Sequence, residues 1–280
     1  MVQNLSEKIT LADGNQIPGF GFGCYNSFGD EIADAVRMAV ENGYRYIDSA
    51  TFYGNEDAVG KGIAECGVAH SELFVLSKTW PNAYDRVEQS VMNNLKNLRV
   101  EYLDAMLLHW PGTDENARLH AFEQGLRLKE KGVIRSMGVS NFQMDQLERL
   151  YEEFGIWPVI NELELHPNYQ QRELAAFCRE RNIQLIAYSP IARGAYVDNQ
   201  ELLAIASRYG KSTAQVVLRW HTQKGIIPIP KSSHENRIRE NADIFDFVLT
   251  DDELAAVDAL ECNGRMGQDP YKFPPAELMK

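Results

Sequence analysis

Short runs of apolar and β-branched residues alternate along the chain with longer stretches whose apolar residues recur at helical spacing. Residues 30–43, 85–98 and 170–182 are the clearest helical stretches. Residues 8–19 predict a hairpin, because Asp13-Gly14 is a favoured two-residue turn. The apolar runs after the hairpin predict eight strands, at residues 19–23, 44–48, 73–78, 102–109, 133–140, 158–165, 184–189 and 225–230.

Eight strands, most of them followed by a helix, predict a parallel sheet with right-handed crossovers. Eight such units in about 250 residues match the size of an α/β (β/α)8 TIM barrel. We expect residues 1–280 to form a single barrel domain, with the N-terminal β-hairpin closing its bottom. The alternative is a doubly wound open sheet. It would normally carry GxGxxG after its first strand, whereas residues 19–23 read GFGFG and no helix opens on the last glycine.

The composition is that of a globular protein, with 44% hydrophobic and 24% charged residues. A formal net charge of −12 argues against nucleic acid and membrane as partners, because phosphate backbones and anionic lipids repel an acidic surface. The four cysteines are scattered and include no CxxC pair, which fits a reducing compartment. The N-terminus lacks the pattern of a secretion signal. We therefore expect a soluble, cytoplasmic protein.

Titratable side chains collect where the predicted strands end, and a barrel of parallel strands places its active site there. Asp48 ends the second strand with Tyr53 five residues beyond it, Lys78 ends the third strand, and His109 ends the fourth. Singly, each has an ordinary explanation, such as a solvated lysine, a hydrogen-bonded core histidine, a packed tyrosine or a helix-capping aspartate. Together in one cavity they would have to pair, because burying unpaired charges is costly.

These four residues suit the protonation of an oxygen that becomes anionic, as in carbonyl reduction. Asp48 would keep Lys78 charged, and a cation within about 4–6 Å of Tyr53 would lower the pKa of the phenol by roughly one to three pH units. Such a phenol exchanges protons near neutral pH, and His109 can orient a carbonyl oxygen. The set offers no carboxylate pair for glycoside hydrolysis, no Ser-His-Asp arrangement and no metal cluster. None of these side chains can donate a hydride, so a cofactor is required.

Seven separated motifs resemble, in order, those of the aldo-keto reductases, and the match runs from about residue 8 to about residue 273. The motifs are IDSATFYGNE, SK after the third strand, LLHWP, GVSNF, ELHP, YSP and IPKSSHENRIREN. The length and tail of the chain resemble the microbial branch that includes 2,5-diketo-gluconate reductases and prostaglandin F synthase-like enzymes. The resemblance implies NADPH-dependent reduction of aldehydes and ketones (small carbonyls, α-dicarbonyls or keto-sugars) by a monomer.

The resemblance also implies a role for each matching position. Tyr53 would be the general acid, tuned by Lys78 and Asp48, with His109 orienting the carbonyl group. Trp80 and Trp110 resemble substrate-pocket walls. The residues implied to bind NADPH are Ser140, Asn141 and Glu162 at the carboxamide, Tyr188 on the nicotinamide face, Ser189, Pro190, Ile191, Arg193 and Gly194 along the pyrophosphate, Lys231, Ser232, Ser233 and Arg237 at the 2′-phosphate, and Glu240 and Asn241 near the adenine.

The residues themselves support the 2′-phosphate site. Within KSSHENRIREN, residues 231–241, a lysine, two hydroxyl groups and an arginine gather at a predicted helix N-terminus, which favours anions by its N–H groups and its dipole. Two charge-assisted hydrogen bonds of about 1.5–3 kcal/mol each would favour NADPH over NADH by roughly 10²–10⁴-fold. The alternative is a solvated helix start without a ligand.

Two positions depart from the family pattern. Glu162 stands where the family usually has Gln, and an ionised Glu162 would place negative charge near a nicotinamide ring that is positive when oxidised. We therefore expect a shift in the affinity for NADP⁺ relative to NADPH. Cys24 stands where Thr is usual, which puts a cofactor contact there in doubt and suggests the hypothesis that oxidation of the thiol affects activity.

Two further function classes stay open at this stage. A lyase could form a Schiff base on Lys78, although that lysine would have to be neutral to attack a carbonyl. A non-catalytic NADPH-binding sensor could keep the same residues without turnover. The tail, residues 262–280, is short, so we expect an open pocket that accepts many small carbonyl compounds.

Overall fold

A computed structural model describes residues 2–279 of the chain. After an N-terminal hairpin, eight strands form one sheet in which every pairing is parallel and each strand lies beside its neighbour in the chain. The strands are β3 (Phe22–Gly23), β4 (Tyr46–Asp48), β5 (Phe74–Thr79), β6 (Leu103–Leu108), β7 (Ile134–Ser140), β8 (Ile160–Glu164), β9 (Gln184–Tyr188) and β10 (Ile227–Pro228). All eight predicted strands are therefore confirmed.

Backbone hydrogen bonds close the sheet into a barrel between its first and last strands. The N–H of Gly21 donates to the carbonyl of Pro228 at 3.0 Å, and the N–H of Gly23 donates to that of Pro230 at 3.1 Å. The two segments approach so closely that a Cβ on Gly23 would lie 2.9 Å from the carbonyl oxygen of Ile229. The glycines of GFGFG thus serve this closure, and the (β/α)8 barrel is confirmed over the open sheet.

The predicted hairpin closes the opposite end of the barrel from the strand ends that carry the titratable residues. Its strands are β1 (Lys8–Thr10) and β2 (Gln16–Pro18), which pair antiparallel. Leu11 and Ile17 pack in one buried cluster with Tyr46 and Phe74, which begin β4 and β5. Burial of this apolar surface fixes the hairpin under the barrel.

The helices pack around the sheet with their apolar stripes inward. In the first helix the buried side chains include Ile32, Val36 and Ala39, at the spacing of one helical face. Two helices, not one, lie between β9 and β10. The helices are α1 (Gly29–Glu41), α2 (Glu56–Glu65), α3 (Val87–Leu98), α4 (Glu115–Glu130), α5 (Met144–Phe154), α6 (Arg172–Glu180), α7 (Gln200–Tyr209), α8 (Thr213–Gln223), α9 (Glu235–Ala242) and α10 (Asp251–Asp258). Within residues 2–279, no helix combines the length and the apolar character needed to cross a bilayer.

Candidate active site

A cavity of about 690 Å³ opens at the carboxyl ends of the strands. Its floor and walls combine most of the titratable strand-end residues with aromatic side chains and with the loop after β9. The predicted residues that line it are Asp48, Tyr53, Trp80, His109, Trp110, Asn141, Glu162, Tyr188, Ser189, Pro190, Ile191, Arg193 and Lys231. One cavity therefore connects the predicted catalytic residues with Lys231 of the predicted 2′-phosphate site.

Lys78 lies beneath the cavity and links an aspartate to a tyrosine. Its side chain is fully buried, and Nζ donates a hydrogen bond of 2.5 Å to Oδ1 of Asp48. The same nitrogen lies 3.3 Å from the hydroxyl oxygen of Tyr53. Asp48 also accepts a hydrogen bond of 2.8 Å from the buried hydroxyl of Tyr46. The predicted grouping of Asp48, Tyr53 and Lys78 is thus present in the structure.

A short loop sets the position of Tyr53 over the lysine. Residues 51–53 form one 3-10 turn, which ends at Gly54 with a left-handed φ of 64°. The hydroxyl of Thr51 donates to the carbonyl oxygen of Lys78 at 3.0 Å, so the turn is tied to the strand that carries the lysine. Asn55 fastens the other side through two hydrogen bonds of 2.8 Å to the loop after β3.

The charge states of Lys78 and Tyr53 follow from burial and from their neighbours. Burial lowers the pKa of Lys78, but Asp48, Glu162 and Tyr53 together raise it well above its usual value, so the ammonium stays charged. Burial raises the pKa of Tyr53, and Lys78 offsets that rise only in part. The expectation of a net lowered phenol pKa is therefore wrong, because desolvation outweighs the attraction of the lysine. Tyr53 holds its proton and is an acid before reaction. A permanently charged Lys78 also disfavours Schiff-base chemistry.

His109 follows β6 directly and lines the same cavity. Burial and the charge of Lys78 hold the pKa of His109 well below its usual value, so the imidazole is neutral. Its Nδ1 is buried without a hydrogen-bond partner. The ring meets those of Tyr53 and Trp80 edge to face, with centroids 5.7 Å and 5.1 Å away. A neutral imidazole held in this way can offer one N–H to a carbonyl oxygen.

Polar groups from β7, β8 and β9 meet on the far side of the cavity. Asn141 has a left-handed φ of 66° and donates to the carbonyl oxygen of His109 at 3.0 Å. The hydroxyl of Tyr188 donates to Oδ1 of Asn141 at 2.7 Å. The hydroxyl of Ser140 is buried and donates to the backbone carbonyl of Glu162 at 2.9 Å, so Ser140 supports this wall from behind. A carboxamide contact by Ser140 stays a prediction.

The loop after β9 joins this wall to a basic end. Ser189, Ala192 and Arg193 have left-handed φ angles, between 45° and 54°, a conformation that is uncommon outside glycine and often marks ligand-binding loops. At the basic end, Lys231 lines the cavity and Ser232 Oγ accepts a hydrogen bond of 3.0 Å from the N–H of His234, which precedes α9. Outside the cavity lining, Ser233 precedes α9, and Arg237, Glu240 and Asn241 lie on that helix. Gly194 ends the 3-10 turn of residues 192–194 within the loop.

Residues 21–261 match the model of the aldo/keto reductase family. The chain belongs to the aldo/keto reductase family. It is 43% identical to the glyoxal reductase of Bacillus subtilis over 274 residues, covering 96% of this chain and 98% of that protein. It is 40% identical to the methylglyoxal reductase DkgA of Escherichia coli over 267 residues, covering 95% and 97%.

A solved structure gives the same result for the fold. The aldo-keto reductase of Bombyx mori in complex with NADP matches with a TM-score of 0.88 and 38% identity, covering 96% of each chain. This protein is therefore an NADPH-dependent oxidoreductase that reduces carbonyl compounds. The lining fits such a dinucleotide, because it runs from buried polar groups to the basic residue Lys231. The buried groups include Nδ1 of His109, which has no hydrogen-bond partner, and the carboxyl group of Glu162.

Aromatic side chains form one wall of the cavity. Trp80 and Trp110 line it as expected, and the sequence interpretation missed three further rings. Phe52 stacks on Trp80 with centroids 3.8 Å apart, and Phe273 contacts both tryptophan rings edge on, at 5.8 Å and 4.6 Å. Tyr25 meets Tyr53 edge to face at 5.0 Å. Phe52 adjoins Tyr53 within a recognised motif, whereas no sequence pattern connects Phe273 to the barrel mouth.

The C-terminal tail crosses the mouth of the cavity. Both oxygens of the Glu164 carboxylate accept backbone N–H groups of the tail, from Met266 at 2.6 Å and from Gly267 at 2.7 Å. Farther on, Nε1 of Trp80 donates to the carbonyl oxygen of Leu278 at 3.0 Å. A strand-end carboxylate therefore anchors the tail over the aromatic wall. The expectation that the pocket is open and accepts many carbonyl compounds stays a prediction.

Cys24 lines the cavity but is fully buried. Burial, together with the negative charge of Asp48, raises the pKa of its thiol far above the usual value. Reactivity requires the thiolate, which this environment disfavours. The geometry thus gives no support to an oxidation-sensitive Cys24, and the thiol acts as a small apolar wall element.

Proposed function

We propose that this reductase acts on small aldehydes and α-dicarbonyl compounds, the class to which glyoxal and methylglyoxal belong, with Tyr53 as the proton donor. The observation that carries the proposal is the contact of the Tyr53 hydroxyl with a permanently charged Lys78 at 3.3 Å. The aromatic cavity walls and the names of the relatives support a small carbonyl substrate. The same cavity would admit aromatic aldehydes and the keto groups of sugars.

The chain's own residues can perform the proton chemistry. Bound NADPH would supply the hydride that the side chains cannot supply. Neutral His109 donates a hydrogen bond to the carbonyl oxygen and holds it toward Tyr53. Tyr53 gives its proton to that oxygen as negative charge develops there. Lys78 then stabilises the phenolate that is left, and Asp48 holds Lys78 in place.

The cofactor would lie along the polar wall and the loop after β9. Asn141 and Glu162 would hold the carboxamide, supported by Ser140, and Tyr188 would cover the nicotinamide ring. Residues 189–194 would follow the pyrophosphate. The remaining contacts would come from Lys231, Ser232, Ser233 and Arg237 to the 2′-phosphate and from Glu240 and Asn241 to the adenine. The left-handed residues of the loop and the helix N-terminus of α9 support this path.

A single barrel domain covering residues 1–280 can hold the complete site, since every proposed catalytic and cofactor residue lies in one chain. We infer that it acts as a monomer, without nucleic acid or membrane partners, and that the cytoplasm is its compartment. Four free cysteines, three of them buried, support a reducing environment.

A substrate panel tests the proposal. Loss of NADPH absorbance is followed with glyoxal, methylglyoxal, an aromatic aldehyde and a keto-sugar, and each reaction is repeated with NADH. We expect turnover with the α-dicarbonyls, and a preference for NADPH of roughly 10²–10⁴-fold in kcat/KM. Tight NADPH binding without turnover of any compound between about pH 5 and about pH 8 would contradict it and would favour a sensor.

A further inference from the structure

Glu162 is a buried carboxyl group on the floor of the cavity. Its backbone is fixed in β8, where its carbonyl oxygen accepts the N–H of Asn141 at 2.9 Å. Its side chain is only 1% exposed yet lines the cavity. Oε2 lies 3.2 Å from Nζ of Lys78, but not in hydrogen-bonding geometry, so this oxygen has no hydrogen-bond partner.

One ammonium therefore faces two buried carboxyl groups. Asp48 takes hydrogen bonds from Lys78 and Tyr46, which stabilise its negative charge. At Glu162 the charge of Lys78, 3.2 Å from Oε2, favours ionisation. Burial and the charge of Asp48 outweigh it and raise the pKa of Glu162 well above the usual value. Glu162 is therefore the carboxyl that keeps its proton. The titratable groups that face it from neighbouring elements are Asp48 and Tyr46 of β4, Tyr53 after β4, Lys78 of β5 and Tyr188 of β9.

A protonated Glu162 and an ionised Glu162 interact differently with a nicotinamide ring. The protonated form offers one O–H donor and one carbonyl acceptor, much as a glutamine amide offers both, whereas the ionised form is an acceptor only. The oxidised ring is positively charged and the reduced ring is neutral. An ionised carboxylate beside the ring thus stabilises the oxidised cofactor and leaves the reduced one nearly unaffected.

We propose that Glu162 is a proton-linked residue that discriminates between the two redox forms of the cofactor, binding a proton when the reduced form occupies the cavity and releasing it when the oxidised form does. This inference rests on the proposed function, which places the nicotinamide beside Asn141, Glu162 and Tyr188. Glutamine at this position could provide the hydrogen bonds without the linkage. Compared with glutamine, the carboxyl group of Glu162 therefore changes the balance between NADP⁺ and NADPH binding and not the hydrogen bonds to the nicotinamide.

The direction of the pH dependence follows from linkage. NADP⁺ stabilises ionised Glu162, so this carboxyl loses its proton at a lower pH in the NADP⁺ complex than in the NADPH complex. Between the pH values at which Glu162 loses its proton in the two complexes, the affinity for NADP⁺ relative to NADPH rises with pH, by at most about tenfold per pH unit. An opposite charge within about 4–6 Å gives a total change of roughly tenfold to a thousandfold. At low pH the oxidised product would leave more readily.

Calorimetric titration of the intact enzyme with NADP⁺ and with NADPH tests the proposal without any turnover. Both dissociation constants are measured from about pH 5 to about pH 9, in two buffers of different ionisation enthalpy, so that protons released on binding are counted as well. The 2′-phosphate also titrates, near about pH 6, but it is common to both ligands and cancels in the ratio. Glu162→Gln is the test variant.

Asp104→Asn is the matched control, because Asp104 is a buried carboxyl whose pKa burial raises to about 6, and it borders a second, separate cavity. In the wild type and in Asp104→Asn, the NADPH-to-NADP⁺ ratio of dissociation constants should rise at least about tenfold over the range, with more protons released by NADP⁺. In Glu162→Gln the ratio should stay flat.

The proposal would be overturned if, in the wild type, the NADPH-to-NADP⁺ ratio of dissociation constants did not change with pH and both nucleotides released the same number of protons on binding. It would also be overturned by a Glu162→Gln variant that keeps the wild-type rise. If that variant fails to fold, the proton count of the wild type decides alone. Failure of both nucleotides to bind would contradict the proposed function itself, whereas binding of both with a flat ratio contradicts only the role of Glu162.

Discussion

The ammonium nitrogen of Lys78 lies 3.3 Å from the hydroxyl oxygen of Tyr53. Strand β5 carries the lysine, and the turn at residues 51–53 carries the tyrosine, so the barrel brings together groups 25 residues apart. Because the lysine side chain is fully buried, its charge acts on the phenol with little screening by water. The contact therefore favours the phenolate that is left after proton donation more than any surface lysine could.

Removal of the buried ammonium should destabilise the fold as well as the site. In Lys78→Met, the carboxylate of Asp48 loses its strongest partner, and we expect the free energy of unfolding to fall by about 3–5 kcal/mol. The double variant Lys78→Met/Asp48→Asn should recover part of that loss, since it no longer buries a charge. Urea denaturation measures both.

Lys61→Met is the control for this pair, because Lys61 and Asp30 form an exposed ion pair at 2.7 Å. Its denaturation midpoint should equal that of the wild type, since exposed pairs contribute little. Equal midpoints for Lys78→Met and Lys61→Met would show that the buried pair does not stabilise the fold.

The basic residues at α9 should determine the preference for NADPH. In Lys231→Ala or Arg237→Ala, loss of a charge-assisted hydrogen bond to the 2′-phosphate should raise the dissociation constant of NADPH by roughly tenfold to a hundredfold. The dissociation constant of NADH should not change. Arg239→Ala is the control on the same helix, because Arg239 pairs with Glu235 at 2.9 Å. A parallel weakening of NADH binding would exclude a 2′-phosphate contact.

Glu164 should control the tail and, through it, the substrate. His166, Met266 and Gly267 all donate to its carboxylate, and although burial raises its pKa, these donors bring it below the usual value. In Glu164→Ala we expect earlier proteolytic cleavage after about residue 265 and a rise of roughly tenfold in KM, with the NADPH dissociation constant unchanged. The control Asp145→Ala removes only the exposed contact of the tail through Tyr271. Unchanged proteolysis in Glu164→Ala would refute the anchor.

Asp104 should make the protein less stable as the pH rises. Burial raises the pKa of Asp104 to about 6, despite hydrogen bonding by the N–H of Val75. The folded state therefore holds this proton more tightly than the unfolded state, so stability falls as the pH rises from about 4 to about 6, by up to about 3 kcal/mol. The stability of Asp104→Asn relative to the wild type should increase by that amount between about pH 4 and about pH 8 in urea denaturation. A constant difference would contradict the burial effect.

Periodicity and strand-end chemistry were sufficient to predict the barrel, the hairpin and the grouping of Asp48, Tyr53 and Lys78. They could not predict the net effect on the Tyr53 phenol, because the cost of burial depends on how completely the site excludes water. The contact of Glu162 with Lys78 was also missed, since it joins side chains on strands that are not neighbours. The position of Phe273 depends on a tether at Glu164, more than 100 residues earlier in the chain, and has no local signal.

The most direct test of the central claim is a single-turnover measurement on Tyr53→Phe. Wild type and variant are loaded with NADPH and mixed with methylglyoxal, and NADPH absorbance is followed through one turnover. Without the phenol proton, the single-turnover rate of the variant should be lower than that of the wild type by a factor of roughly 10²–10⁴. Its dissociation constant for NADPH should stay within about twofold of the wild type, because the hydroxyl interacts with the developing oxyanion and not with the cofactor. A variant that retains more than about a tenth of the wild-type rate would contradict Tyr53 as the proton donor.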